Sequence, residues 1–234
     1  MKKKVFILAG GQGKRLRPYT YVIPKPLMPL GEKPILTTVL ERLARKGFND
    51  ITISLGYMGD MIVQVVKGLK ISEKISFTRE TSPLGTAGSL SLMKDFSDDV
   101  LVINGDLLTT LDFNKIYDFH KKNKATATIG IFPREVKIDF GIIETKNKID
   151  FNSYSEKPTF KFDVSMGINV LSPKIKKYLK KNEYLDMPTL IKRLQENGEK
   201  IVCYKEKCKW LDIGREFDYK IATEEFEKNG KEYL

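Results

Sequence analysis

The sequence predicts an α/β fold in which a mostly parallel central sheet is covered by helices on both faces. In the first half of the chain, short apolar runs typical of buried strands alternate with longer runs whose apolar residues recur at helical spacing. Strands and helices that alternate in this way form parallel sheets. After about residue 126 the pattern becomes strand-rich, and helices return towards the end of the sequence.

The elements follow in order from these patterns. Predicted strands of the first half cover residues 5–8, 51–55, 75–78 and 100–104, and predicted helices lie within 34–48, 58–69 and 112–124. Gly47 is expected to end the first helix, and Asp112 is expected to cap the third. In the second half, strands are predicted at 127–132, 140–145, 149–157, 164–171 and 201–204, and helices near 173–181, at 187–197 and from about 215.

The composition fits one globular domain. At 234 residues with 41% hydrophobic content, the chain can bury a sizeable core, and no apolar run approaches the roughly 20 residues that span a bilayer. The basic, apolar start superficially resembles a secretory signal, but its apolar part at 5–9 is shorter than the roughly 7–15 residues of such signals. We therefore expect a cytoplasmic protein that does not associate with membranes.

The formal net charge of +11 raises the question of nucleic-acid binding. The lysines are spread along the chain, for example at 121–124, 174–177 and 205–209, and no aromatic residues interleave with them in a binding motif. Solvated lysine faces are the favoured interpretation, so no nucleic-acid partner is expected. The positive field can instead attract small anionic substrates. A homo-oligomer stays an open alternative to a monomer.

Softer metal ligands are scarce. The chain has two cysteines, Cys203 and Cys208, and one histidine, His120, which makes a structural zinc site improbable. His120 lies in a lysine-rich stretch, and we expect it to be a solvated residue at an exposed helix end.

Residues 8–30 carry the strongest functional pattern. Gly10, Gly11 and Gly13 follow the first strand, and two cations, Lys14 and Arg15, come directly after them. Glycines let a backbone turn tightly, and successive N–H groups in such a turn form an anion-binding nest. A further cation, Lys25, stands between two prolines that fix its backbone. The pattern favours a polyphosphate held by backbone donors and cations.

Two common phosphate motifs do not match this segment. It lacks the G-x-x-x-x-G-K-[ST] pattern of a P-loop, and Leu16 occupies the third glycine position of a dinucleotide-binding G-x-G-x-x-G. Glycines after a strand often form a plain turn. Arg15 and the proline-flanked Lys25 favour phosphate binding over a plain turn.

Carboxylates follow other predicted strands, at the edge where open α/β sheets bind ligands. Asp106 stands in an Asn-Gly-Asp turn directly after the strand at 100–104, and Asp212 stands in the sequence WLDIG. Mg²⁺ commonly takes one or two protein carboxylates together with substrate phosphate oxygens. Each aspartate alone can equally be structural, one in a turn and the other as a helix cap.

Other segments offer surfaces for a base and a sugar. The loop at residues 82–88, with the sequence SPLGTAG, permits close approach of a flat base, although Thr86 also suits a helix cap. Gly141 leaves backbone free beside a hexose. Glu156 can accept hydrogen bonds from sugar hydroxyls, Lys157 can bind the sugar's phosphate, and Asn169 offers an amide for further hydroxyls. Alternatively, Glu156 and Lys157 form a surface ion pair, and Asn169 is a turn residue.

Together, these motifs resemble the sugar-1-phosphate nucleotidylyltransferases, also called NDP-sugar pyrophosphorylases. Residues 8–18 are similar to the family's L-A-G-G-x-G-T-R-L-x-P, and residues 24–34 to its P-K-P-L-x-P-x-x-x-K-P. Lys14 departs from the pattern, because the family usually has a threonine there that touches the nucleotide phosphates. The remaining motifs follow in family order, so the resemblance covers nearly the whole chain.

The resemblance implies a Rossmann-like three-layer sandwich and a set of site residues. One catalytic domain would span residues 1–234, with a nucleotide-binding half at about 1–125, a sugar-phosphate-binding half at about 126–215 and a C-terminal helix at 215–234. Arg15, Lys25 and Asp106 would be catalytic, and Asp106 and Asp212 would hold Mg²⁺. The nucleotide would contact Leu8, Ala9, Gly10, Gly11, Gly13, Lys14, Pro83, Gly85 and Thr86, and the sugar phosphate Gly141, Glu156, Lys157 and Asn169.

The implied reaction joins a nucleoside triphosphate to a sugar 1-phosphate, giving an NDP-sugar and pyrophosphate. The short length, the D-M-P-x-L-I element at 186–191 and the W-L-D-I-G ending are most similar to the short guanylyltransferase-like members. Those act on mannose, heptose or hexosamine 1-phosphates for surface polysaccharide synthesis. GTP is therefore the favoured nucleotide, with UTP, dTTP and CTP as alternatives. A catalytically silent nucleotide-sensing subunit is a further alternative, against which the joint retention of the charged residues argues.

Overall fold

The computed structural model describes residues 3–69, 71 and 74–234. In this part of the chain the strands are β1 (Lys4–Ala9), β2 (Pro29–Leu30), β3 (Lys33–Pro34), β4 (Asp50–Leu55), β5 (Lys74–Arg79), β6 (Val100–Asn104), β7 (Leu107–Thr109), β8 (Ala127–Lys137), β9 (Ile142–Lys146), β10 (Asp150–Ser155), β11 (Thr159–Leu171), β12 (Ile201–Lys205) and β13 (Trp210–Asp212). The α-helices are α1 (Ile35–Arg45), α2 (Gly59–Lys67), α3 (Gly85–Gly88), α4 (Phe113–Asn123), α5 (Met187–Glu196) and α6 (Glu216–Asn229).

The main sheet of the described residues has seven strands in the order β12-β8-β11-β6-β1-β4-β5. β1 pairs in parallel with β4 and β6, β4 with β5, and β8 with β12, whereas β11 runs antiparallel to both of its neighbours. Successive side chains point to opposite faces, so Ile7 and Ile103 join one apolar core while Phe6 and Val102 join another. α1 and α4 cover the first core and α5 covers the second. The predicted mostly parallel three-layer sandwich is therefore confirmed.

Local sequence explains where the helices begin and end. Gly47 has a φ of +78° and lies two residues beyond α1, in the left-handed conformation that ends many helices. Asp112 accepts a hydrogen bond from the Asn114 backbone N–H at 2.9 Å, so it caps α4 as predicted. Within the described ranges, no helix has both the length and the apolar character that crossing a membrane requires.

The second half of the chain departs from the prediction in two ways. The helix expected near 173–181 is a 3-10 helix at Pro173–Tyr178, in which backbone N–H groups bond three residues back. β8 and β11 are longer than expected and pair with each other along most of their length. Their far ends extend beyond the main sheet, because β12 and β6 pair only with the ends nearer the core.

The expectation for His120 is wrong. The residue is 1% exposed, and its Nδ1 lies 2.8 Å from the Thr128 hydroxyl oxygen. On α4 it follows Phe113 and Ile116 at helical spacing, which places all three on the face that packs against the sheet. The lysines around it indicated a polar stretch, but helical spacing and not local composition decides which residues are buried.

Candidate active site

A cavity of about 800 Å³ lies at the carboxyl ends of β1, β4, β5 and β6. Open α/β sheets bind their ligands at this edge. Twelve of the residues singled out from the sequence line the cavity, namely Leu8, Ala9, Gly10, Gly11, Gly13, Lys14, Arg15, Lys25, Pro83, Gly85, Thr86 and Asp106. The fold thus brings the glycine loop, the cations and one of the two aspartates to a single place, while their individual roles stay predictions.

The glycine loop is held by close backbone packing. A Cβ on Gly56 would lie 2.5 Å from the Gly10 carbonyl oxygen, so the two segments can approach only without side chains. Gly13 has a φ of +59°, and the Thr20 hydroxyl donates to its carbonyl oxygen at 2.9 Å. Gly11 has open space where a Cβ would stand. The loop is therefore fixed at both ends and open in its centre, as a backbone cradle for an anion requires.

Lys25 and Asp106 form an ion pair on the cavity wall. Lys25 begins a 3-10 turn between Pro24 and Pro26, and it is 8% exposed. Its ammonium pairs with the Oδ2 atom of Asp106, which follows the end of β6. The other carboxylate oxygen, Oδ1, is buried and finds no hydrogen-bond partner among the described residues. Asp106 thus neutralises a buried cation and keeps one oxygen available to a ligand.

Asp212 reaches the site through a short ladder that the sequence patterns do not reveal. β13 pairs with β7 so that Asp212 lies opposite Leu107, the residue after Asp106. Its side chain is open to solvent on one side, but the protein packed around the carboxylate and the charge of Asp106 raise its pKa. The charges of Lys25 and Arg15 act in the opposite direction on the same pKa. Asp106, Lys25 and Arg15 therefore all act on the Asp212 carboxylate at this end of the cavity.

These two aspartates supply the donors that a hard divalent cation prefers. Among the described residues there is no group of three or more His, Cys, Asp or Glu side chains that could enclose a metal ion. A set of two carboxylates does not suit structural zinc, which takes four protein ligands. It does suit Mg²⁺, which completes its shell with waters and substrate phosphate oxygens. Asp106, through its free Oδ1, and Asp212 are the residues that could hold this ion.

The SPLGTAG loop is clamped by a segment from the second half of the chain. Gly85 has a φ of +75°, and a Cβ there would lie 2.6 Å from the Leu185 carbonyl oxygen. That oxygen accepts hydrogen bonds from two backbone N–H groups of the loop, each at 2.9 Å. Thr86 Oγ1 accepts from the Met187 N–H at 2.7 Å, so Thr86 serves the start of α5 and not its own helix.

The cavity is also lined by residues to which the sequence analysis gave no role of their own, although Pro26, Ser82, Asn104, Asp186 and Gly214 lie in motifs that it singled out. They are Gln12, Pro26, Gly56, Tyr57, Glu80, Thr81, Ser82, Asn104, Tyr184, Asp186 and Gly214. Glu80 directly follows β5, and its carboxylate accepts hydrogen bonds from the Leu84 N–H at 3.0 Å and the Ser54 hydroxyl at 3.3 Å. Its place at a strand end was a usable signal. Asp186 was noted only as the first residue of the element at 186–191, and Tyr184 had no local signal; both arrive with the segment that clamps the SPLGTAG loop.

The predicted sugar-phosphate residues lie outside the cavity and do not form one group. Tyr154 occupies the space beside Gly141 that was expected to receive a hexose, and its hydroxyl donates to Glu156 at 2.7 Å. Lys157 Nζ lies 3.8 Å from Glu156 Oε1, and both side chains are more than half exposed. Asn169 is buried within β11, where its Oδ1 has no hydrogen-bond partner in the described part of the chain. Three of the four residues therefore meet around Tyr154, and Asn169 lies apart from them.

We expect Asp212→Asn to raise the thermal stability of the metal-free protein slightly at neutral pH. A folded-state pKa above the unfolded value favours the protonated acid, so ionised Asp212 destabilises the fold. This penalty is absent below the unfolded-state pKa, grows as the pH rises from there to the folded-state pKa, and is constant above it. Thermal melts in excess EDTA across the acid range would measure it.

The control for this measurement is Asp139→Asn, which changes an exposed aspartate outside the cavity. It should melt like the wild type at every pH. Below about pH 4 the Asp212→Asn protein should also match the wild type, because both then carry a neutral side chain at this position. A stability difference that does not change with pH would show that Asp212 is not electrostatically strained.

Comparison with known proteins places the chain in a family. A family model described as "Nucleotidyl transferase" matches residues 4–229. The mannose-1-phosphate guanyltransferase of Yarrowia lipolytica is 34% identical over 238 residues, which cover 94% of this chain and 63% of that protein. The UTP–glucose-1-phosphate uridylyltransferase of a Synechocystis strain is 28% identical, with 92% and 61% covered. The chain thus spans less than two thirds of the length of these curated relatives.

A solved structure of similar length agrees with the fold. HddC from Yersinia pseudotuberculosis, crystallised in complex with GMP-PN, aligns with a TM-score of 0.73 at 28% identity, covering 96% of this chain and 99% of its own. The family model spans nearly the whole sequence, and the relatives share the reaction type that the motifs imply. The resemblance found in the sequence is therefore confirmed, and the chain belongs to the nucleotidyl transferase family.

Proposed function

We propose that the protein transfers a nucleotidyl group from a nucleoside triphosphate to a sugar 1-phosphate, giving an NDP-sugar and pyrophosphate. The observation that carries the proposal is the Lys25–Asp106 ion pair, placed beside Asp212 and the glycine loop at a cavity large enough for a nucleotide. Relatives named as guanyl- and uridylyltransferases of sugar 1-phosphates support the same reaction.

The reaction requires positioning and charge neutralisation more than side-chain chemistry. An oxygen of the sugar phosphate, which is already anionic, attacks the α-phosphorus in line. The new P–O bond forms as the bond from the α-phosphorus to the bridging oxygen breaks, and pyrophosphate leaves with that electron pair. The glycine loop and Arg15 hold the β- and γ-phosphates, Lys14 adds positive charge beside them, and Lys25 neutralises charge on the α-phosphoryl group.

Mg²⁺, held by Asp106 and Asp212, would neutralise further negative charge on the phosphates of both substrates. Asp106 can serve such an ion without giving up Lys25, because the ion pair uses Oδ2 and leaves Oδ1 available. The raised pKa of Asp212 implies that its ionised form gains from any cation placed between the two carboxylates.

The sugar phosphate is assigned to the cluster around Tyr154. Lys157 supplies a cation for the phosphate, and Glu156, oriented by the Tyr154 hydroxyl, supplies an acceptor for sugar hydroxyls. Both side chains are exposed, so a substrate can reach them without displacing protein. Asn169 lies inside the sheet, and we leave it out of this assignment.

GTP is the nucleotide that the cavity favours. An ionised carboxylate such as that of Glu80 can only accept hydrogen bonds, and guanine presents two adjacent donors, N1–H and the N2 amino group, on one edge. Uracil and thymine present one N–H between two carbonyl oxygens, and these oxygens would face the carboxylate unfavourably. Glu80 lies two residues before the SPLGTAG loop and accepts a hydrogen bond from its Leu84 N–H, so a base that rests on that loop would lie near this carboxylate. The GMP-PN complex of HddC supports the same choice.

For the sugar we propose a mannose-, heptose- or hexosamine-type 1-phosphate that supplies surface polysaccharide synthesis. The mannose-1-phosphate guanyltransferases among the relatives support this class. The second candidate is UTP with glucose 1-phosphate, which the Synechocystis relative favours.

Pyrophosphate release from GTP, UTP, CTP and dTTP, each with a panel of sugar 1-phosphates and Mg²⁺, tests the proposal. We expect turnover with GTP and one sugar of the proposed class, and no turnover in excess EDTA. A folded protein that binds nucleotide but turns over no pair would instead be a nucleotide-sensing subunit.

We expect Glu80→Gln to lower kcat/KM for GTP by roughly 10- to 100-fold, because the base loses a charged acceptor. A glutamine amide offers one donor and one acceptor, so kcat/KM for UTP or dTTP should fall less or rise. Glu227→Gln, which neutralises an exposed glutamate on α6, is the control and should leave the preference unchanged. An equal loss for all four nucleotides would show that Glu80 supports the loop and does not select the base.

We expect Lys157→Ala to raise KM for the sugar 1-phosphate about tenfold or more, while NTP affinity changes little, because the lost cation contacts only the sugar's phosphate. Separate calorimetric titrations of the two substrates would measure this. Lys146→Ala, an exposed lysine on β9, is the control. Loss of NTP binding with intact sugar phosphate binding would show that Lys157 belongs to the NTP site and not to the sugar phosphate site.

A further inference from the structure

We infer that the protein self-associates, and that a second copy of the chain packs on an apolar ribbon that extends from the main sheet. This outer ribbon consists of residues 134–137 at the end of β8 and 159–162 at the start of β11. Among the described residues these segments pair only with each other, since β12 pairs with β8 as far as Ile131 and β6 pairs with β11 from Ile168 onwards. The inference does not depend on the reaction proposed above.

The outer ribbon has one apolar face. Val136 lies opposite Phe160 in the ladder, and Phe162 follows Phe160 at two-residue spacing, so the three side chains share a face. The two phenylalanine rings stack with centroids 6.3 Å apart. The three side chains are 41–53% exposed, so packing within one copy leaves this face largely uncovered.

Exposed apolar residues are concentrated in this part of the molecule. Fifteen large apolar side chains are exposed in the described part of the chain, and eight of them lie between residues 134 and 163. They include Phe140, Ile149 and Phe151, which belong to the adjoining segment that contains β9 and β10. Single exposed apolar residues are normal, but a cluster of this size marks an interaction surface. The free edges of the ribbon also offer backbone groups to another strand.

The charge distribution favours a second copy over nucleic acid or an anionic membrane as the partner. The chain carries +11, so two copies repel each other through most of their surface, whereas residues 134–163 contain six basic and six acidic residues. The ribbon's own charges are matched as well, because Glu135 pairs with Lys161 at 3.0 Å. The adjoining Asp163 pairs with Lys205 at 2.6 Å. A neutral, internally paired surface offers little to nucleic acid or an anionic membrane, but a second copy can approach it without like-charge repulsion. A two-fold axis would bring the same apolar face of both copies together.

Sedimentation velocity of the full chain over a range of micromolar concentrations tests the inference. We expect a dimer, and we expect the double variant Phe160→Lys/Phe162→Lys to raise its dissociation constant by roughly a hundredfold or more. The matched control is Phe217→Lys, which changes an aromatic residue of α6 that is even more exposed, and it should leave the dimer unchanged. Circular dichroism of each variant would verify that it is folded.

Hydrogen exchange of the wild-type protein at low and high concentration needs no variant. The expected result is protection of residues 134–137 and 159–162 that increases with concentration. A monomer at all concentrations, a folded double variant that still dimerises, or concentration-dependent protection confined to another surface would each overturn the inference. Binding of a monomeric wild type to uncharged lipid vesicles would also overturn it and would assign the apolar face to a membrane surface.

Discussion

The ion pair between Lys25 and Asp106 is the interaction on which the charged end of the cavity depends. Lys25 is held by two prolines and largely removed from water, and a buried charge without a partner costs several kcal/mol. Asp106 meets this requirement because β6 ends directly before its turn. With the first cation neutralised, Arg15 and Asp212 add one charge of each sign nearby, so these four side chains together carry no net charge.

Sequence reasoning correctly brought the residues proposed to contact the nucleotide to one cavity, for a topological reason. Parallel strands present their carboxyl ends at one edge, so Gly10, Asp106 and the SPLGTAG loop had to converge once the strands were recognised. Glu80 obeys the same rule and could have been found with it. Tyr184 and Asp186 could not, because they reach the cavity through contacts between segments about a hundred residues apart.

The positions of the residues proposed for the sugar phosphate were harder to predict, because they depend on the register of long antiparallel strands. A shift of one residue moves a side chain from one face of a sheet to the other, and the pairing of β11 with β8 is irregular between Ser165 and Asn169. No sequence pattern predicts where such an irregularity falls, so the burial of Asn169 could not be foreseen. Tyr154 was missed for a related reason, since its proximity to Gly141 follows from the path of the chain around β9 and β10. For His120 a signal was present, because its helical spacing with Phe113 and Ile116 indicates burial, but the expectation followed the lysine-rich local composition instead.

The clamp on the SPLGTAG loop has a consequence for how such a protein can change over time. The loop that would meet the base belongs to the first half of the chain. Its conformation is fixed by hydrogen bonds to the Leu185 carbonyl and to the start of α5, which belong to the second half. Gly85 and Gly88 leave no room for a side chain against that segment. A substitution in residues 183–187 can therefore change the conformation of the loop proposed to meet the base, although the two segments lie about a hundred residues apart in the sequence. Exchange of one half of the chain for that of a relative would therefore separate the loop from the segment that fixes its conformation.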